Sequence, residues 1–262
     1  MNYIGRPIRL GFTDAVVMKA VKERLNVALV VTGKAATRLD TNVPTFDKDT
    51  QVAVKLFQTR HVDDNGQPLK QDGVIGALTW AVLFGSDSVP NVATTTNALL
   101  ARVLQVAAGE EARHVREVPP NSNAGPDVKA YLASTRQPEG KPWCCAFVYW
   151  CFEKAAASLG TVNPMFRTAG CLDHWNHAEA KGARRITTRR AVNNPGLVTP
   201  GMIFIIDHGQ GNGHTGLVEK VTGGLITTIE GNTDASRTRE GGGVYRLTRK
   251  IGDINIGFID YA

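Results

Sequence analysis

The 262 residues contain no apolar stretch of transmembrane length, no low-complexity run and no internal repeat. Membrane insertion and disorder are therefore not expected. Met1 to Asp14 carry Arg6, Arg9 and Asp14 in place of a continuous apolar core, so a secretory leader is not expected and synthesis in a cytoplasm is. Cysteine is scarce. The four residues Cys144, Cys145, Cys151 and Cys171 sit in one region without the spacing of a disulfide framework or a CxxC pair, which points to free thiols. Aromatic residues make up 7% and are not interleaved with Lys and Arg, whose only close pairs are Arg184-Arg185 and Arg189-Arg190. A base-stacking platform needs that interleaving, so no nucleic-acid partner is expected.

What is present fits an ordinary globular chain. Hydrophobic residues are 42% and charged residues 21%, and the length suits a short module followed by a longer one. A formal charge of +6 and a pI near 9.2 favour approach to polyanions, including nucleic acid, anionic lipid and the acidic polymers of a bacterial envelope. Charge alone does not choose among them.

Helical periodicity opens the chain. Val17, Ala20, Val21 and Leu25 share one face, and Ala53, Leu56 and Phe57 repeat the spacing after the capping candidates Asp47 and Asp49. A third helix is expected from about Thr79, as its cap, to Phe84 and Gly85. Residues 1–85 thus read as a three-helix domain and 86–97, rich in Ser, Thr, Asn and Val, as a linker. In 98–262, helices are expected around Leu100–Ala107, Val128–Leu132, Cys144–Ala157 and Leu172–Lys181. Five β-rich runs follow: Met202–Ile206, Thr215–Val221, Leu225–Glu230, Val244–Arg249 and Ile254–Asp260. Helices followed by an antiparallel sheet define an α+β domain.

Three segments carry candidate chemistry. Pro142-Trp143-Cys144-Cys145-Ala146-Phe147-Val148 places Cys144 in the first turn of a helix. There the helix dipole and unpaired N–H groups stabilise a thiolate and can hold an oxyanion. Gly213-His214-Thr215-Gly216 sets a histidine at the start of a strand among small neighbours, and Ile229-Glu230-Gly231-Asn232 ends the next strand. A hairpin across Thr222-Gly223-Gly224 brings Glu230 beside His214, where a carboxylate fixes the imidazole's tautomer.

These segments in this order resemble the CHAP family of cysteine, histidine-dependent amidohydrolases/peptidases, over about residues 98–262. The resemblance implies a papain-like fold, with Cys144 as nucleophile, His214 as general base, Glu230 orienting it and Asn232 assisting. Two positions depart from the family pattern. Cys145 stands where a small residue is usual, and its side chain is expected to turn about 100° away into packing. The strand before the histidine begins Gly201-Met202 rather than Gly-Asp. Residues 13–85, through Phe46–Gln58 and Asp72–Leu83, resemble the three-helix peptidoglycan-binding module found beside wall hydrolases. In it Gly73 and Gly76 permit a tight turn, and Phe57, Trp80 and Leu83 form core.

The remaining polar clusters are weaker. His174 and His177, three apart on a helix, lack a third ligand at standard spacing and are expected to face solvent. Asp207–Gly213 lacks the acidic density of a calcium loop, and His208 lacks the glycine context of His214. No cofactor and no metal are therefore expected. The resulting expectation is a monomeric peptidoglycan hydrolase, a muramyl-L-alanine amidase or stem-peptide or cross-bridge endopeptidase. It resembles a phage endolysin made without a signal peptide and reaching the wall through a separate pore. A secretion-delivered antibacterial effector and a non-catalytic wall-binding protein are the alternatives. An NlpC/P60-type peptidase shares the fold but is expected to carry His at the position of Glu230.

Overall fold

The computed structural model describes residues 1–29, 38–236 and 241–262. The chain divides into two compact units, Met1–Asn91 with Val192–Gly196 and Thr222–Gly224, and the remainder from Val92.

The first unit is built on α1 (Ala15–Ala28), α2 (Lys48–Arg60) and α3 (Ala77–Phe84). Aspartates start the first two, because an extended residue with a short carboxylate satisfies first-turn N–H groups that have no partner in the helix. Asp14 accepts from the N–H of Val16 and Val17. Asp47 accepts from the Thr50 N–H at 2.8 Å and its hydroxyl at 2.7 Å, and the buried Lys22 ammonium lies 3.4 Å from it. Phe46, Val54, Phe57 and Trp80 fill the core with Met18, Val21 and Leu25. Thr79 does not cap α3. Gly76 occupies the cap position, and Thr79 is buried inside the helix, its hydroxyl accepting from Gln58 Nε2 at 3.2 Å. Gln58 also donates to the Val74 carbonyl and accepts from the Gly73 N–H, both at 2.9 Å. One buried amide thus ties α2, the turn and α3 together. Of the two turn glycines, Gly73 alone has a positive φ, +70°.

The segment 86–97 contains a 3₁₀ turn at Ser86–Ser88, and Val92 pairs with Val221 through two backbone hydrogen bonds of 2.9 and 2.8 Å. Asn97 then caps α4 (Ala98–Ala112) by accepting from the Leu100 N–H.

The second unit continues with α5 (Pro126–Ser134), α6 (Cys144–Ser158), α7 (Cys171–His177), β1 (Arg184–Thr187), α8 (Thr188–Asn193), β2 (Ile203–Gly209), β3 (Asn212–Thr222), β4 (Leu225–Thr233), β5 (Gly243–Lys250) and β6 (Gly257–Asp260). Among the described residues the strands form one six-stranded antiparallel sheet in the order β1-β6-β2-β3-β4-β5. The architecture is α+β, consistent with a papain-like fold. α6 is buried nearly throughout, packing Phe147, Val148, Cys151 and Phe152 into a core shared with Ile203, Ile205, Leu217 and Ile229 of the sheet. The β3–β4 turn places Gly223 at φ +59° and Gly224 at +85°, the pair of positive values that a two-residue hairpin matched to strand twist requires. β1 and α8 have no counterpart in the sequence pattern. β1 is a four-residue edge strand whose single buried residue is Ile186, too short to display alternation. The last strand is also shorter than the expected run Ile254–Asp260, starting only at Gly257.

Asp47→Ala removes the α2 cap and leaves the Lys22 ammonium without its carboxylate. A loss of about 1–2 kcal/mol is expected, read as a lower urea midpoint at unchanged slope. An unchanged midpoint refutes the cap's contribution.

Candidate active site

Cys144 and Glu230 of the second unit flank the His214 imidazole from two sides. Cys144 is the first residue of α6, preceded by Trp143, whose side chain provides no cap. The first-turn N–H groups are thus not consumed by the preceding side chain. Trp143 is itself anchored, its indole N–H donating to the buried Glu117 carboxylate at 2.8 Å. The helix approaches β4 closely because residue 231 is glycine: a Cβ there would lie 2.6 Å from the Trp143 ring and 2.8 Å from Phe147.

His214 on β3 donates from Nε2 to Glu230 Oε2 on β4 at 2.7 Å, with both side chains buried. The expected juxtaposition of these two residues is present. Its cause is again a glycine, since a Cβ at Gly216 would meet Glu230 Cγ at 2.7 Å. Gly213, before the histidine, is confined by the Ile206 carbonyl and by Cys171 Cβ, 3.0 Å from any Cβ placed there. The glycines around His214 therefore make room for Glu230 and Cys171.

Glu230 is saturated with donors. Arg249 Nε reaches Oε1 and its Nη2 reaches Oε2, each at 2.7 Å, and the Thr228 hydroxyl donates to Oε1. Burial alone would raise the Glu230 pKa, but Arg249 and His214 outweigh it and hold the carboxyl at about 2. Burial likewise opposes a charged His214, yet hydrogen bonding to Cys144 and Glu230 and the Glu230 charge lift its pKa to about 9. At roughly 1.4 kcal/mol per pKa unit, this represents on the order of 3 kcal/mol in favour of imidazolium. The second ring nitrogen, Nδ1, is buried with no hydrogen bond of ordinary geometry, which leaves it to the Cys144 thiol.

The Cys144 thiol is pushed up by its contact with Cys171, 3.5 Å away between sulfurs, and by burial, while His214 pulls it down. Cys145 is fully buried and donates to the Thr168 carbonyl at 3.4 Å. Asn232 is buried at φ +56° with neither amide atom hydrogen-bonded.

Arg249 and Cys171 are the contributors that the sequence pattern did not single out. An Arg near a strand end and a Cys opening a short helix carry no local signal of the partners they meet. The expectation of two solvent-facing histidines on α7 is corrected for one of them. His177 is exposed beside Asp173, but His174 is fully buried, its Nε2 hydrogen-bonded with the Tyr261 hydroxyl and its pKa lowered by burial to about 3. His208 is exposed. Among the described residues, no group of three or more His, Cys, Asp or Glu is arranged to hold a metal ion.

A cysteine at a helix N-terminus, a histidine on the adjoining sheet and a buried carboxylate behind it are the parts that a papain-like cysteine hydrolase uses. Residues 136–232 match the CHAP domain family. A CHAP domain implies a cysteine, histidine-dependent amidohydrolase or peptidase role, with peptidoglycan as the general substrate. Cys144, His214, Glu230 and Asn232 fall inside the match, and Arg249 lies beyond it. Searches of curated proteins and of solved structures returned no match.

The His214 imidazole is expected to titrate near 9 by NMR. Glu230→Gln removes the charge that opposes desolvation, so the midpoint falls. Arg249→Met removes a positive charge and raises it, provided Glu230 stays ionised. Equal midpoints in all three proteins would refute the electrostatic coupling.

Proposed function

We propose that this protein is a peptidoglycan hydrolase that cleaves an amide bond through a Cys144–His214–Glu230 mechanism. The observation that carries the reading is the buried Arg249–Glu230–His214 array beside a thiol at the start of a helix. Glu230 can only accept when ionised, so it fixes the proton on Nε2 and leaves Nδ1 as the basic nitrogen. The thiol rests protonated, because Cys171 and burial outweigh the pull of His214. His214 works as a general base in its neutral form, the fraction that grows as pH rises toward its pKa of about 9: Nδ1 takes the thiol proton as Sγ attacks the carbonyl carbon. The oxyanion is met by first-turn N–H groups of α6. The imidazolium then gives its proton to the leaving amine, a thioester remains, and a water activated by the same nitrogen releases the acid. Asn232, buried two residues beyond Glu230, makes no hydrogen bond to the array, and its assisting role rests on the family resemblance.

The scissile bond is the muramyl-L-alanine amide or one in the stem peptide or cross-bridge. Residues 1–85 serve as the wall-binding module, and their own apolar core supports an independently folded anchor. Tethering raises the local concentration of scissile bonds on an insoluble polymer. The basic charge of +6 suits an anionic envelope. The biological setting is that of a monomeric phage endolysin, made in the cytoplasm and acting on the wall after release through a separate pore.

Cys144→Ala is expected to abolish release of muropeptides from purified sacculi, while Cys145→Ala keeps most of it. Mass spectrometry of the products identifies the bond cut. Equal loss in both variants refutes Cys144 as the nucleophile, and undigested wall under every condition refutes the hydrolase reading.

A chain spanning Val92–Ala262 should cleave soluble muropeptides as fast as the full protein and intact sacculi more slowly. Equal rates on sacculi would refute the anchoring role of the N-terminal region.

A further inference from the structure

Two helices of the second unit begin on a cysteine, Cys144 on α6 and Cys171 on α7. Both are free thiols with sulfurs 3.5 Å apart. A disulfide has an S–S length of about 2.05 Å, so joining them takes an approach of about 1.5 Å. Cys171 is also held against the strand that carries the base, by its close approach to Gly213. Of the other two thiols, Cys145 points to the Thr168 carbonyl and also lies in hydrogen-bonding contact with Cys171, which makes its variant part of the test, and Cys151 is fully buried farther along α6. Cys171 has no part in the hydrolytic steps described above, yet it is the sulfur in hydrogen-bonding distance of the nucleophile.

We infer that Cys171 is a resolving thiol, which converts oxidation of Cys144 by a hydroperoxide into a reversible Cys144–Cys171 disulfide and so switches the site off. With hydrogen peroxide as the oxidant, Cys144 sulfur attacks one peroxide oxygen and the O–O bond breaks. The displaced hydroxide takes up the thiol proton, held meanwhile by His214, and leaves as water. Cys144 is then a sulfenic acid. Cys171 sulfur attacks Cys144 Sγ, the S–O bond breaks, and the hydroxide leaves as a second water with the Cys171 proton. Two thiols lose two electrons in total, and one peroxide becomes two waters. Capture by the neighbouring thiol competes with further oxidation to sulfinic acid, which thiol reductants do not reverse. The name of an off state rests on Cys144 being the nucleophile; the bridge itself does not.

The test treats the reduced full-length chain with limiting hydrogen peroxide and reads intact mass, thiol count after denaturation, and wall hydrolysis before and after dithiothreitol. Wild type and Cys145→Ala should each lose two thiols and the mass of two hydrogens, lose activity, and regain most of it on reduction. Cys171→Ser, measured against its own reduced activity, should gain oxygen mass and recover little. Cys144→Ala should form no bridge. The proposal is overturned if wild type gains oxygen as Cys171→Ser does, if Cys145→Ala abolishes the bridge, or if Cys144→Ala still loses two thiols. A reduced wild type that leaves wall undigested refutes the hydrolase reading, while mass and thiol counts continue to test the bridge.

Discussion

The site depends on keeping the Glu230 carboxylate ionised with no exposure to water. Removing an isolated charge from solvent costs several kcal/mol, and the cost is offset only when its lone pairs are met by well-placed donors. Glu230 has four: two from Arg249, one from Thr228 and one from His214. In the β4–β5 register Ile226 faces Arg249, Thr228 faces Leu247 and Glu230 faces Tyr245. Alternation therefore puts Thr228, Glu230 and Arg249 on one face of the sheet, with Arg249 reaching along it past Thr228. A slip of one residue would send the guanidinium to the other face and strand the carboxylate. The guanidinium also lies 5.5 Å above the Phe204 ring, so β2, β4 and β5 jointly hold it.

From that carboxylate the electrostatics run outward to the thiol. Glu230 takes one imidazole nitrogen and raises the proton affinity of the ring; the ring in turn favours the ionised form of Cys144. Arg249 tempers the chain by neutralising part of the Glu230 charge. A carboxylate serving the histidine alone would push the imidazole pKa higher, and a base that stays protonated through the working range accepts no proton. The Arg249 pair thus both pays for burying Glu230 and limits how strongly it grips His214.

Close backbone approach is the second constraint. Gly231 lets the start of α6 come down on β4, Gly216 admits the Glu230 side chain, and Gly201, with φ +92°, lets the Leu100 side chain of α4 press against the turn into β2. In each case the space that a Cβ would need is occupied by the partner, so residue size at the glycine sets the distance between elements. The Gly201-Met202 pair has its own local explanation: Met202 is fully buried, where an aspartate would need a partner.

Much of this was legible in the chain itself. Residue periodicity located α1, α2 and α4 to α6 and the larger strands, because each buries a face wide enough to impose its period. The order of the Cys144, His214 and Glu230 segments, with a two-glycine turn between the last two, fixed that His214 and Glu230 would meet. Other features depended on distant pairing. β1 exists because β6 offers an edge, Thr79 is drawn from a capping role into a buried bond with Gln58, and His174 is buried by Tyr261. The Cys171 sulfur reaches Cys144, and Arg249 reaches Glu230, across gaps in sequence that carry no local signal. Periodicity and motif spacing report what a residue does to its own helix or strand; which side chain stands across from it is decided only when register and packing bring distant strands and helices together.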